Sequence, residues 1–224
     1  MSSRTAKLSP QLHAYLLAHS SPADPVLREL ADETARRFPS AAVMQIGAEQ
    51  GTFMTLLTRI AGVTDAVEVG TFTGYSSICL ARGLADGGRL LCCDVSEEWT
   101  SIARQYWQQA GVADRIELRI GPALETLRAL PAGPSLDLAF IDADKPGYIS
   151  YWDEIVPRIR PGGIILVDNT LYGGQVIDTA DQDASVQGIR DFNDHAAADD
   201  RVELVLLPVG DGLTLARKSP ASRG

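Results

Sequence analysis

Ala66-Val-Glu-Val-Gly-Thr-Phe-Thr-Gly-Tyr-Ser-Ser77 is the stretch whose reading decides the fold. A short apolar run (Val67, Val69) ends in two glycines, and Ile78, Leu80 and Ala81 then continue at helical spacing. That order predicts a strand, a tight turn and a helix N-terminus. Gly70 and Gly74 would let the backbone approach a ligand, and the free N–H groups opening the helix would favour an anionic group. A plain strand-to-helix connection would also use such glycines. Asp94 adds weight to the ligand reading. It ends the next predicted strand (Arg89 to Cys93), about 20 residues beyond the glycines, where a carboxylate can accept from two ribose hydroxyls. A nucleoside-containing cofactor is expected.

Outward from this turn, strand and helix alternate. Ser9 and Pro10 open a helix carrying Leu12, Tyr15, Leu16 and Leu17, and Pro25 opens a second with Val26, Leu27, Leu30 and Ala31 that ends near Pro39. These N-terminal helices (residues 1–40) suit plain packing or a substrate lid. His13 and His19 have no partner pattern and read as structural or exposed. The segment Met44 to Phe53 is a loop entering a helix with Phe53, Leu56, Leu57 and Ile60 as its expected apolar face. Ser96 caps a helix with Glu97 and Glu98 in its first turn. Further strands are expected at Ile116 to Ile120, Leu136 to Ile141 and Gly163 to Val167, with helices from Leu124 to Leu130 and Tyr148 to Ile159. Past a polar loop from Tyr172 to Ser185, a helix spans Val186 to Ala197. Val202 to Leu207 and Leu213 to Ala216 then form a hairpin across Pro208-Val-Gly-Asp-Gly212. The alternation implies a mostly parallel sheet covered on both faces, with ligands outside the carboxyl ends of its strands.

The chain has 224 residues, which suits one α/β domain over residues 1–218 and a disordered tail at 219–224. Hydrophobic residues make up 45% without any run long enough to span a membrane, and the N-terminus lacks the pattern of a signal peptide. A soluble, cytoplasmic protein is expected. Cys79, Cys92 and Cys93 lie on apolar segments without metal or redox spacing, so buried reduced thiols are expected. A formal charge of -9 argues against nucleic-acid binding.

Two other strand ends carry chemistry: Phe140-Ile-Asp-Ala-Asp-Lys-Pro-Gly-Tyr148 and Val167-Asp-Asn-Thr-Leu-Tyr-Gly173. In a parallel sheet they share a rim with Glu68 and Asp94, which gathers Asp142, Asp144, Lys145, Asp168 and Asn169. Carboxylates and an amide are oxygen donors suited to a hard divalent cation. The acids would equally serve as helix caps. Lys145 reads as a surface ion-pair partner or, beside a cation that disfavours its ammonium form, as a general base.

With these motifs in view, the chain resembles class I S-adenosylmethionine-dependent O-methyltransferases of the cation-dependent branch, which includes caffeoyl-CoA and catechol O-methyltransferases. The resemblance is carried by Glu68-Val-Gly-Thr-Phe-Thr-Gly-Tyr-Ser76, Gly121-Pro-Ala-Leu124, Ile141-Asp-Ala-Asp-Lys145, Asp168-Asn-Thr-Leu-Tyr172 and Leu207-Pro-Val-Gly-Asp-Gly-Leu213. It covers the chain from about Met44 to Lys218. It implies a Rossmann-like, mostly parallel seven-stranded sheet with an antiparallel C-terminal hairpin and extra N-terminal helices. Glu68, Gly70, Thr71 and Ser76 would hold the methionine part of the cofactor, with Ile46 contributing backbone and Met44 near the methyl group. Asp94 would bind the ribose, Ala123 would border the adenine, and Asp144 would accept from the cofactor's amino group. Asp142, Asp168 and Asn169 would ligate the metal, Mg²⁺ or else Ca²⁺ or Mn²⁺, with Asp142 also bordering the cofactor. Lys145 would be the base, assisted by Asp142, and Lys145, Asn169 and Tyr172 would meet a catechol-type acceptor. A homodimer is implied as well.

The chain departs from the plant caffeoyl-CoA enzymes at Gly173, where they carry Asn, and its first helix lacks their coenzyme A-binding basic residues. Both departures favour a small free catechol over an acyl-CoA ester. One rival is a nicotinamide-dependent oxidoreductase, but Glu68 stands where a dinucleotide turn has its first glycine. Another is a non-catalytic nucleoside-binding protein, for which Asp142, Lys145, Asp168 and Asn169 would have no use.

Overall fold

The computed structural model describes residues 8–220. Residues 1–7 and 221–224, including most of the expected tail, lie outside the described residues. Ser219 is still tied down, its N–H donating to the Arg201 carbonyl at 2.9 Å.

Seven strands form one sheet: β1 (Asp65–Val69), β2 (Arg89–Asp94), β3 (Ile116–Ile120), β4 (Leu136–Ile141), β5 (Ile159–Val167), β6 (Val202–Leu207) and β7 (Leu213–Lys218). Their order is β3-β2-β1-β4-β5-β7-β6. Pairing is parallel from β3 to β5, and β7 runs antiparallel to both β5 and β6. The chain leaves β1 in one direction for β2 and returns beside it as β4. The strand order therefore reverses between β1 and β4, where an open α/β sheet leaves a crevice at its carboxyl ends.

Helices cover both faces. Residues of α2 (Pro25–Arg37), α3 (Ala48–Ile60), α4 (Tyr75–Gly83) and α5 (Glu97–Gln109) share one apolar cluster with Leu90, Leu138, Phe140 and Leu166. Residues of α6 (Ala123–Ala129), α7 (Tyr148–Ile155) and α8 (Ala184–Ala197) share the other with Val67, Val69, Ile141 and Val167. Successive strand residues thus feed opposite clusters, as the two-residue period of a strand requires. All three cysteines are buried and free, as expected. Among the described residues no helix is long and apolar enough to cross a membrane.

Three local expectations are corrected. The helix after Tyr148 stops at Ile155 and becomes a 3-10 turn, Val156–Arg158, because Pro157 has no N–H for a further α-helical bond. Strand β5 starts at Ile159, ahead of the expected Gly163, and runs through Gly162 at φ 80°. In α3 the buried residues are Gln50, Gly51, Met54 and Thr58, while Leu56 and Ile60 are exposed. The cause is close helix packing: a Cβ on Gly51 would lie 2.8 Å from Cys79 Sγ, and one on Gly83 2.6 Å from Thr58 Cβ. Gly51 and Thr58 meet α4, while Phe53 and Leu57, two of the four expected residues, are partly buried against the same core cluster.

The two N-terminal helices differ. α2 is a packing helix, with Leu27 and Leu30 in the core and Thr34 Oγ1 donating to Thr73 Oγ1 at 2.9 Å. α1 (Pro10–Ala18), capped by Ser9 as expected, buries none of its residues, and Tyr15 is 61% exposed. His13 Nε2 pairs with Glu49 Oε1 of α3 at 3.1 Å.

Candidate active site

The turn after β1 is held by the chain itself. Asp94 Oδ2 accepts from the Thr71 N–H at 2.9 Å and the Phe72 N–H at 2.8 Å, and Oδ1 accepts from the Ser96 N–H at 2.8 Å. Asp94, the last residue of the next strand, thus clamps the turn ahead of α4; the N–H groups that open α4 itself, from Tyr75 onward, are not among those it meets. The glycines also have an internal reason. A Cβ on Gly70 (φ 91°) would collide with the Asp142 carbonyl, and one on Gly74 (φ 91°) would lie 2.7 Å from Ala103 Cβ and 2.9 Å from Trp107 Nε1. Close approach is needed, but to β4 and α5 rather than to a ligand alone.

Glu68 is fully buried on β1, where Cys92 Sγ donates to Oε2 at 3.3 Å and Oε1 has no hydrogen-bond partner. Burial pushes its carboxyl up to about 8, against the pull of the nearby Ser76 hydroxyl. Thr71 Oγ1 is likewise buried without a partner. Two unmet polar atoms beside a glycine turn are what a polar ligand would satisfy. Ile46 and Ala123 are buried near the rim of the core, Ser76 opens α4, and Met44 is 43% exposed. Trp107 is core, donating to Ser77 Oγ at 2.8 Å, whereas half-buried Trp99 meets Phe72 edge-on at 5.1 Å.

Across the crevice, β4 and β5 deliver the acidic strand ends. Asp142 continues β4 through its N–H to the Val69 carbonyl at 2.8 Å, and Asp168 continues β5 to the Ile141 carbonyl at 3.0 Å. Asn169 takes a left-handed backbone, φ 57°, which asparagine tolerates better than most residues. Lys145 sits at the centre. Its Nζ donates to Asp142 Oδ1 at 3.0 Å, Asn169 Oδ1 at 2.6 Å and Tyr148 Oη at 2.7 Å. Burial raises the Asp142 carboxyl, opposed by the adjacent Lys145 charge. Burial and then the neighbouring Asp142 charge push Asp168 up to about 7. Asp144, more exposed, accepts from Tyr151 Oη at 2.6 Å.

These residues fit a hard cation. Asp142 and Asn169 already turn oxygens toward one ammonium, and Asp168 adds a buried carboxylate whose repulsion from Asp142 a dication would relieve. Among the described residues no three His, Cys, Asp or Glu side chains form a metal-sized group.

Sequence reasoning missed Gln50, Tyr148, Tyr151 and Asp211. Gln50 Nε2 donates to Asp168 Oδ2 at 2.8 Å. The hairpin turn grips the Asp168 loop: the Gly212 carbonyl accepts from Thr170, the Asp211 carbonyl from Leu171 and Tyr172, and Asp211 Oδ1 from Gly173. Tyr172, half-buried at φ 44°, is placed by these bonds. The available signal was a polar residue, Gln50, three positions before Phe53 on a helix otherwise read by its apolar face.

A reversed strand order, an acid-clamped glycine turn and an acidic rim around a lysine define an α/β enzyme that binds a nucleoside cofactor at the carboxyl ends of its sheet. The comparisons make this specific. A profile described as O-methyltransferase matches residues 17–219. Caffeoyl-CoA O-methyltransferase 2 of Zea mays is 38% identical over 222 residues, covering 94% of this chain and 83% of the relative. Catechol O-methyltransferase domain-containing protein 1 of Mus musculus is 37% identical, covering 92% and 79%. Among solved structures, the O-methyltransferase TomG from Streptomyces achromogenes in complex with SAM superposes with a TM-score of 0.85 at 33% identity, covering 94% of this chain and 96% of that one. The O-methyltransferase from Bacillus cereus in complex with SAH gives 0.85 at 36%, covering 93% and 97%. The chain belongs to the O-methyltransferase family.

Proposed function

We propose that this O-methyltransferase moves the methyl group of S-adenosylmethionine to one hydroxyl of a small catechol-type acceptor, with a divalent cation, Mg²⁺ first, held by Asp142, Asp168 and Asn169. The observation that carries the reading is Lys145 Nζ within hydrogen-bond reach of Asp142, Asn169 and Tyr148, on the rim beside the Glu68–Gly74 turn. The cofactor's methionine part is assigned to Glu68, Gly70, Thr71, Ser76, Met44 and Ile46, its ribose to Asp94, its adenine to Ala123 and its amino group to Asp144. The SAM- and SAH-bound structural relatives support this donor.

When bound, the cation supplies a Lewis acid that favours the acceptor's phenolate over its phenol. Lys145 Nζ, having first released its ammonium proton to solvent, takes the hydroxyl proton on the lone pair this frees, and Asp142, Asn169 and Tyr148 hold that nitrogen at the rim. Tyr172 and Asn169 border the acceptor. The oxygen then forms its bond to the methyl carbon as the carbon–sulfur bond breaks and its electron pair stays on sulfur. Opposite charges neutralise in this step, so alignment and exclusion of water are the chain's main contributions. Gly173 favours a free catechol over an acyl-CoA ester. A homodimer and a cytoplasmic location complete the proposal.

The test is a panel of vicinal diphenols and one caffeoyl thioester assayed with S-adenosylmethionine, with and without EDTA. Methylation of a free diphenol that EDTA abolishes and Mg²⁺ restores is the expected result. Undiminished methylation in EDTA removes the cation from the proposal, and exclusive use of the thioester reverses the acceptor assignment.

A further inference from the structure

Gln50 lies on the first turn of α3 and is 2% exposed. A buried primary amide is costly unless its hydrogen bonds are met. Its Nε2 spends one on Asp168 Oδ2 at 2.8 Å. The other Asp168 oxygen, Oδ1, accepts from the Asn169 N–H at 2.7 Å. One donor on each oxygen fixes the rotation of the carboxylate, while each oxygen keeps a lone pair for the rim.

We infer that Gln50 is a positioning residue for Asp168, turning its carboxylate toward the shared cation site without neutralising it. The inference rests on the cation reading above. A lysine or arginine here would cancel charge that a dication needs, whereas a neutral amide orients and leaves the charge in place. The fold makes room for the amide. A Cβ on Gly210, in the hairpin turn at φ 55°, would collide with Gln50 Oε1, so this turn position accommodates the side chain. The same turn accepts the N–H groups of Thr170, Leu171 and Tyr172, so α3, the hairpin and the loop after β5 lock around Asp168. The packing of α3 on α4 does not require Gln50, because Gly51, Thr55 and Thr58 make that contact.

Partners that orient a metal ligand are typically worth about 10- to 100-fold in metal affinity. The experiment titrates Mn²⁺ into the full chain and counts free Mn²⁺ by electron paramagnetic resonance. Wild type, Asp168→Asn, Gln50→Met and Gln50→Asn are compared, with S-adenosylmethionine affinity and Tm measured on each. Methionine keeps the volume and removes the donor; asparagine keeps the donor and withdraws it by one methylene. Both Gln50 variants are expected to bind Mn²⁺ about 10- to 100-fold more weakly with cofactor affinity within twofold, and saturating Mn²⁺ should recover turnover. If wild type binds Mn²⁺, Asp168→Asn does not, and either folded Gln50 variant binds as wild type does, Gln50 has no positioning role. If wild type itself binds no Mn²⁺, the cation reading fails, and this inference with it.

Discussion

The glycine turn between β1 and α4 and the acidic rim at the ends of β4 and β5 face the same crevice but are held in opposite ways. In the turn the N–H groups of Thr71 and Phe72 are met by Asp94, and the glycines are fitted against Asp142, Ala103 and Trp107. At the rim a buried carboxylate, Asp168, and a partly buried one, Asp142, lie close together, both with raised pKa, and a lysine stands among them. The difference teaches where stability and function are stored. Steric change should break the turn through folding, whereas charge change should break the rim through activity.

The largest effect falls at the rim. Lys145→Ala should lower kcat by about 10²-fold or more, the range of a general base, while S-adenosylmethionine affinity stays within a few-fold. Stopped-flow or steady-state kinetics with calorimetric binding checks it, and wild-type turnover would exclude Lys145 as the base. Next comes the turn. Gly70→Ala adds a Cβ against the Asp142 carbonyl at a positive φ and should cost about 3 kcal/mol of folding stability, read by chemical denaturation. A change under about 0.5 kcal/mol would mean that the turn is not sterically set.

A third test lies where the two regions meet. Glu68 is raised from its ordinary 4.5 to about 8, so in the ligand-free protein it stays protonated at neutral pH. For an acid with a raised folded pKa, the stability it contributes is complete below about 4.5 and is lost as pH rises toward 8. A cationic amino-acid ligand prefers the ionised form. Cofactor affinity should therefore rise from about pH 6 to about pH 7.5, by at most tenfold per unit, with proton release visible in buffers of different ionisation enthalpy. Glu68→Gln should flatten both profiles.

The smallest effect sharpens the contrast. Breaking a buried ion pair ordinarily costs several kcal/mol. Asp142→Asn should instead move the Tm of the metal-free protein by no more than about 4 °C, because losing the Lys145 pair is offset by losing the repulsion with Asp168. Any rise in Tm that Mg²⁺ gives wild type should vanish in this variant. A large fall in Tm would show that the rim is structural after all.

Much of this was legible in the chain because local rules and global fold agree. Ser9, Asp24 and Ser96 cap their helices through side-chain oxygens, and each expected strand forms. Parallel strands put their carboxyl ends on one rim, so strand alternation by itself places Asp94, Asp142 and Asp168 on the same edge of the sheet. The face of α3 was legible only in part. Periodicity placed Phe53 and Leu57 against the core but also Leu56 and Ile60, which are exposed, because Gly51 and Thr58 make the close contact with α4. Gln50 and Asp211 were invisible for a similar reason, since each acts on residues far away in sequence.

By itself the sequence determined which residues stand at the strand ends: an acid closing β2, two acids and an asparagine at later strand ends, a lysine between them, and glycines at the turn. Those identities are set residue by residue, and strand alternation alone is enough to gather them. Only the tertiary structure decided who holds whom: that Asp94 supplies the anion for its own turn, that Gly70 yields to Asp142, and that Gln50 and the hairpin fix Asp168. Such assignments depend on distances between segments far apart in the chain, and close packing sets those distances only once the whole core has formed.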